Sequence, residues 1–244
     1  AIVPAGFNPD TMIENPVGTG PYLPTELEVG VRAVLERNTN HTWWNEGNGA
    51  YIDKLTYIDY GTDPSAWVAA AEAEEVDAMY SIESEFIDIM ATLDGWVQNE
   101  IVTGATIVIR PNQLAEVDGM KPYADKRVRQ ALTMAVDNEV LLELGYAGRG
   151  IAAENHHVGP MHPEYFELPP RVVDPAAAKA LMEEAGMADF EHELISIDDA
   201  WRKDTTDAVA AQLRDAGIKV KRTILPGATF WNDWTKFPFS STNW

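Results

Sequence analysis

The chain has 244 residues and no cysteine. That excludes disulfides, thiolate metal ligands and cysteine nucleophiles, while leaving the compartment open, since exported proteins without disulfides are common. Positive charge is scarce: 18 Lys and Arg face 39 Asp and Glu, a net charge of −21. Such a surface repels phosphate backbones and anionic lipid, so nucleic-acid and membrane-surface binding are disfavoured. It suits cations or a salty medium, and it also simply confers solubility. Between Lys54 and Arg110 there is no basic residue at all, whereas Glu72, Glu74, Glu75, Asp77, Glu83, Glu85, Asp88, Asp94 and Glu100 all fall there. Most of these are read as a solvated face. No apolar run approaches the length of a membrane span. No charged and apolar leader opens the chain at Ala1, so the expectation is a signal peptide already removed or a protein never exported. Gly-x-Ser-x-Gly, His-Glu-x-x-His and the Rossmann glycine triplet are missing too, and nothing points to catalysis.

What is present is ordinary globular composition, 45% apolar, with ample length for a core. The pattern is mixed α and β. Arg32 to Arg37 and Leu55 to Tyr60 alternate as half-buried strands, and Thr106 to Ile109 forms another. Asp63-Pro64 opens a helix with Trp67, Val68 and Ala71 on one face. A helix from Asp125 carries Val128, Ala131, Leu132, Ala135 and Val136 at helical spacing, and Asp137 caps a further stretch through Leu144. Gly145 to Pro170, rich in Gly, Pro and His, reads as an ordered loop. Asp174-Pro175 starts a helix that Gly186 closes. Leu194 to Ile197, a helix over Thr205 to Ala216, and Lys219 to Ile224 then form a βαβ-like unit, implying a partly parallel sheet.

The most distinctive stretch is Asn15-Pro16-Val17-Gly18-Thr19-Gly20-Pro21-Tyr22, followed by Val34-Leu35-Glu36-Arg37-Asn38. Taken alone it is a rigid turn without the Lys or helix start of a P-loop. In company it resembles the extracellular solute-binding proteins of the peptide/nickel family, which deliver ligand to ABC importers. Four more segments resemble that family in the same order. They are Asp63-Pro64-Ser65-Ala66 to Val76-Asp77, Asp125-Lys126-Arg127-Val128-Arg129-Gln130-Ala131-Leu132, Asp174-Pro175 to Gly186, and Ala210-Ala211-Gln212-Leu213 to Val220. Together they span nearly the whole chain.

The resemblance implies an α/β, periplasmic-binding-protein-like two-lobe architecture, present only in part. Residues 1–104 resemble the return segment of the first lobe, and 105–244 the first part of the second, truncated. It implies a non-enzymatic component of an ABC importer that captures a small peptide or similar polar solute by lobe closure. Its partners would be that solute and a membrane permease, not nucleic acid, and its place periplasmic or anchored at the cell surface. No cofactor is implied. Alternative ligands within the family are a nickel chelate, an opine or an oligosaccharide. From another class, a metal-dependent hydrolase would use Glu154, His156, His157 and His162, although the adjacent histidines point to opposite sides of an extended segment and match no closed metal site.

Candidate ligand-binding residues follow from the same resemblance. Trp201 and Arg202 lie where the peptide binders carry a ligand-contacting residue, between a strand and the next helix; Arg202 offers a bidentate donor for a carboxylate, or else pairs with Asp198 or Asp199. Asn243 and Trp244 resemble the end of the strand that closes with Gly-Trp in those proteins. In that family an Asp three residues past the Trp meets the peptide ammonium, and that position falls beyond Trp244. Arg110 lies where the chain crosses between lobes, Tyr80 on a segment that approaches ligand, and His157 in the loop near the opening. Gly227 stands where some peptide binders have Trp, which puts their side-chain pockets in doubt here. Metal ligands are not expected.

Overall fold

Helix starts in this chain are written by aspartate. Asp63, Asp125, Asp137 and Asp174 each turn a side-chain oxygen back onto a backbone N–H two or three residues on. Each satisfies one of the donors that a helix start leaves free. The computed structural model describes residues 2–40, 43–45, 47–83 and 86–243. They form two compact units, Ala1–Gly61 and Thr62–Trp244.

In the first unit, β1 (Tyr22–Glu28), β2 (Arg32–Arg37) and β3 (Lys54–Ile58) make an antiparallel meander in the order β1-β2-β3. The two halves of the glycine–proline motif meet here. Tyr22 pairs with Arg37, and Asn38 N–H donates to Pro21 O at 2.8 Å. The motif therefore leads into β1 and sets its start against the end of β2. β1 itself was not foreseen in the sequence: Pro24 lies within it, and a register shift between Pro24 and Glu26 accommodates the missing N–H.

The second unit begins with α1 (Pro64–Glu72) and the short α2 (Phe86–Met90), which share a small core around Val68, Ala71 and Met90. There follow β4 (Ile107–Pro111), α3 (Lys126–Met134), α4 (Asn138–Tyr146), α5 (Pro175–Glu184), β5 (His192–Ile197), α6 (Ala200–Asp215), β6 (Val220–Leu225), α7 (Gly227–Asp233) and β7 (Phe239–Asn243). The sheet order is β4-β7-β5-β6; β5 runs parallel to β6 and β7, and β4 antiparallel to β7. The expected βαβ unit is thus present.

Alternation along the strands divides the core. Leu194 and Phe239 face α3, α5 and α6, with Val128, Ala131, Met182, Val209 and Leu213 in the main cluster. Ile195 and Ile197 face α7 and pack on Phe230. Helices α5 and α6 end alike: Gly186 (φ +71°) and Gly217 (φ +81°) adopt the left-handed conformation, and Met187 and Ile218 N–H reach back to Met182 O and Leu213 O at 2.8 and 2.9 Å. That pattern satisfies carbonyls otherwise left open at a helix end. No helix among the described residues is long and apolar enough to cross a membrane.

Gly145 fixes how closely α4 approaches α6. A Cβ built there would sit 2.8 Å from Thr205 Cβ and 2.9 Å from Thr205 Cα. Because a main-chain atom is among the obstacles, no rotamer change relieves the clash. Gly145→Ala should therefore destabilise the protein by about 1–3 kcal/mol, the usual range for overpacking. Urea unfolding would show it as a lower midpoint at unchanged slope; an unchanged midpoint would mean the two helices have slack.

Candidate functional site

Sequence patterning starts the last long helix at Thr205; it starts at Ala200, five residues sooner. Asp199 is its N-cap, accepting from Arg202 N–H at 3.2 Å. The segment read as a strand-to-helix turn is thus the cap and first turn of α6. Its position is at the carboxyl end of β5, beside the carboxyl end of β7, and in α/β sheets that edge is where ligands gather.

Several side chains converge there. Arg202 Nε lies 2.7 Å from Asp199 Oδ2, and its Nη1 donates to Asn243 Oδ1 at 2.9 Å. One helix residue thereby ties the end of β7 to the start of α6. Thr206 and Ser241 hydroxyls share a second bond between the same elements at 2.7 Å. Trp201 packs against Tyr146, with ring centroids 5.5 Å apart, and lies 5.4 Å from the Arg202 guanidinium carbon. Of the alternatives open for Arg202, its ion pair is with Asp199, and that pair is buried: the side chains are 17% and 9% exposed.

A further carboxylate joins them. Glu83 is 8% exposed, unlike the solvated face assigned to most of its acidic neighbours. Burial, then the charge of Asp199, pushes its carboxyl up to about 7, against the opposing pull of Arg202 and the N–H groups of Trp201. Burial likewise raises Asp199, although Arg202 resists it. Tyr146 is raised by burial first and by Glu83 second. Sequence reasoning missed Glu83 because its partners arise from residues remote in the chain, and Ile82-Glu83 carries no local signal.

The structure thus brings together Trp201, Arg202 and Asn243 of the expected residues. Arg110 lies on the opposite sheet face, its guanidinium 4.6 Å from the Trp234 ring centroid. Tyr80 is fully exposed, and His157 is exposed in the long loop. Trp244 lies outside the described residues. In the histidine segment, His156 Nε2 meets Glu154 Oε2 at 3.2 Å, and Tyr165 donates to the same carboxylate at 3.1 Å. His162 Nδ1 accepts from Gly159 N–H at 2.9 Å. These are local loop contacts, and among the described residues no three His, Asp or Glu side chains are placed to hold a metal ion.

The family model for bacterial extracellular solute-binding proteins, family 5 Middle, matches residues 1–244. Among curated proteins, the nickel-binding periplasmic protein of Escherichia coli K12 is 30% identical over 189 residues, covering 76% of this chain and 35% of the relative. The dipeptide-binding protein of the same organism is 27% identical over 188 residues, 77% of this chain and 33% of the relative. The chain therefore spans about a third of these relatives. Among solved structures, NikZ from Campylobacter jejuni in complex with Ni(L-His) superposes with TM-score 0.77 at 20% identity, over 96% of this chain and 47% of the other. The oligopeptide-binding protein AppA from Bacillus subtilis with a nonapeptide gives TM-score 0.69 at 22% identity, over 100% and 52%. These likenesses establish a periplasmic-binding-protein fold represented in part.

Proposed function

Because the chain belongs to the bacterial extracellular solute-binding proteins of family 5, we propose that it is part of a binding protein that captures a small polar solute, such as a peptide or a nickel chelate, outside the cytoplasmic membrane and hands it to an ABC permease. The observation that carries the reading is the partly buried group of Trp201, Arg202 and Asn243 at the carboxyl edge of β5 and β7. An aromatic wall beside directed polar groups is the usual make-up of a small-molecule site. In this reading residues 1–104 and 105–244 contribute to two lobes that close over the solute, and closure is what the permease recognises. The role is binding rather than catalysis.

Thermal unfolding of the protein in its full natural length tests this, against dipeptides, oligopeptides, sugars and nickel–histidine. A solute at a hundredfold excess over its Kd stabilises the folded state by about 2.7 kcal/mol. Arg202→Ala should abolish the shift, since it removes the guanidinium and frees Asn243 together. A ligand shift that survives Arg202→Ala undiminished would place the site elsewhere.

A further inference from the structure

Between Lys54 and Arg110 the chain carries acidic residues and no basic one, so a cation that holds this stretch must come from elsewhere. For Asp88 and Glu100 it is Arg149. Its Nη2 lies 3.0 Å from Asp88 Oδ1 on α2, and its Nη1 lies 3.1 Å from Glu100 Oε2. One guanidinium thus fastens both ends of residues 88–100. The turn that presents it is fixed: Ala147 closes α4 in the left-handed conformation (φ +51°), and Gly148 N–H reaches back to Leu142 O at 3.1 Å. Apolar packing does not do this job. Phe86, Met90, Leu93 and Trp96 pack with Val68 and Ala71, in a core separate from that of α3, α5 and α6. Beyond them Val97, Ile101 and Val102 are exposed. The fastening also lies beside the candidate site. Arg149 N–H donates to Tyr146 O at 3.0 Å, and the Tyr146 ring packs on Trp201 at 5.5 Å. Burial, then Glu83, raises the Tyr146 hydroxyl, while Arg149 lowers it and Glu100 raises it. Both ends of the Arg149–Glu100 pair therefore act on the ring that backs Trp201.

We propose that residues 86–100 form a strap beside the Tyr146–Trp201 wall, and that Arg149 is the positioning residue that clasps it shut through Asp88 and Glu100. Breaking the clasp lets the strap lift and speeds the escape of a bound solute. This rests on the solute-binding reading above and deepens it by naming what keeps the site closed. The Asp88 and Glu100 side chains are 82% and 68% exposed, so each ion pair is weak and screened by salt. Weakness suits a fastening that has to open, since segments that move are drawn from the least stable parts of a fold. Because both pairs share one guanidinium, displacing Arg149 undoes them together.

The test uses the full natural-length protein and two readouts. Amide hydrogen exchange over residues 86–100, without solute, reads the strap. Stopped-flow release of glycylglycine, trialanine, maltose or nickel–histidine, whichever binds the parent, reads the site. Arg149→Met should speed exchange over residues 86–100 by about three- to tenfold, the range for losing two exposed ion pairs, and leave α3 and α5 unchanged. Asp88→Asn/Glu100→Gln should match it. Raising sodium chloride from about 0.05 to about 1 M should speed this exchange in the parent but not in Arg149→Met. Reversing the charges, Arg149→Glu with Asp88→Lys, should recover part of the protection, which a merely structural role for Arg149 would not allow. Release of the bound probe should quicken in Arg149→Met by the same factor as exchange. The proposal is overturned if Arg149→Met leaves exchange over residues 86–100 unchanged, or if the strap loosens while release keeps its parental rate. A probe that still binds the parent then leaves the solute-binding reading standing. If no probe binds the parent, that reading falls and takes the strap's role at the site with it.

Discussion

Replacing Phe239 by Ala is expected to cost about 3–5 kcal/mol, the range for removing a large aromatic ring from a rigid core. Phe239 is 1% exposed, with its ring centroid 5.3 Å from that of Tyr123 and 6.2 Å from that of His192. It is the first residue of β7, paired with Pro111 of β4, so strands and helices meet on it from several directions. Collapse around the vacancy is therefore limited, and both the transfer term and the cavity term apply. Phe239→Leu should lose less than about 1.5 kcal/mol because volume is largely kept. Urea unfolding of both variants measures this. A loss below about 1 kcal/mol for Ala would mean that the core closes over the gap.

The second large effect is hidden in the parent protein by cancellation. Glu83 has its carboxyl raised from 4.5 to about 7 in the fold, and burial is the main cause. Between those values the unfolded chain gives up the proton first, so folding loses stability as pH rises and levels off above about 7. His192 is the opposite case. Fully buried between Tyr123, Phe190 and Phe239, it is lowered from 6.5 to about 4 by desolvation. As pH falls below 6.5 the unfolded chain takes up the proton first, so folding loses stability toward about 4. Each shift corresponds to about 3 kcal/mol at full excursion. Over the overlap, from 4.5 to 6.5, the two slopes have opposite sign and nearly cancel. The groups facing Glu83 are Asp199 and Arg202 on α6 and Tyr146 on α4; Asp199, itself raised, adds to the Glu83 slope at lower pH.

Single replacements should expose each arm. Glu83→Gln is expected to be more stable than the parent near about pH 8 and to lose roughly 3 kcal/mol on acidification toward about pH 4. The double variant Tyr123→Phe/His192→Leu, which leaves no orphaned hydroxyl, should instead gain stability on acidification through the same interval. Urea midpoints from about pH 4 to about pH 8 decide the matter. Parallel profiles for the parent and Glu83→Gln would show that Glu83 is ionised normally in the fold.

What could be read from the sequence was what chemistry writes locally. Asp63, Asp125, Asp137 and Asp174 each sit directly before a helix they cap, and Gly186 and Gly217 close helices at left-handed positions. The resemblance singled out Trp201, Arg202 and Asn243, which do come together. The start of α6 was misplaced because apolar periodicity begins at Thr205, whereas residues 201–204 are aromatic or charged and hold their place through Asp199, Asn243 and Tyr146. β1 has no clear signal in the sequence, since Pro24 argues against a strand, and only pairing with β2 overrides it. Glu83 looked like its acidic neighbours; its burial depends on α6, far along the chain.

The strand order β4-β7-β5-β6 has a consequence for how the protein is made. β7 is the last of these four to leave the ribosome, yet it lies between two that were made earlier. Among the described residues β4 has no partner strand until β7 inserts, and the adjoining edge of β5 is open until then. Assembly of this sheet must therefore wait for distant segments to meet, which is slow compared with local helix formation. During that interval the nascent chain is most exposed to aggregation and most dependent on protection from chaperones.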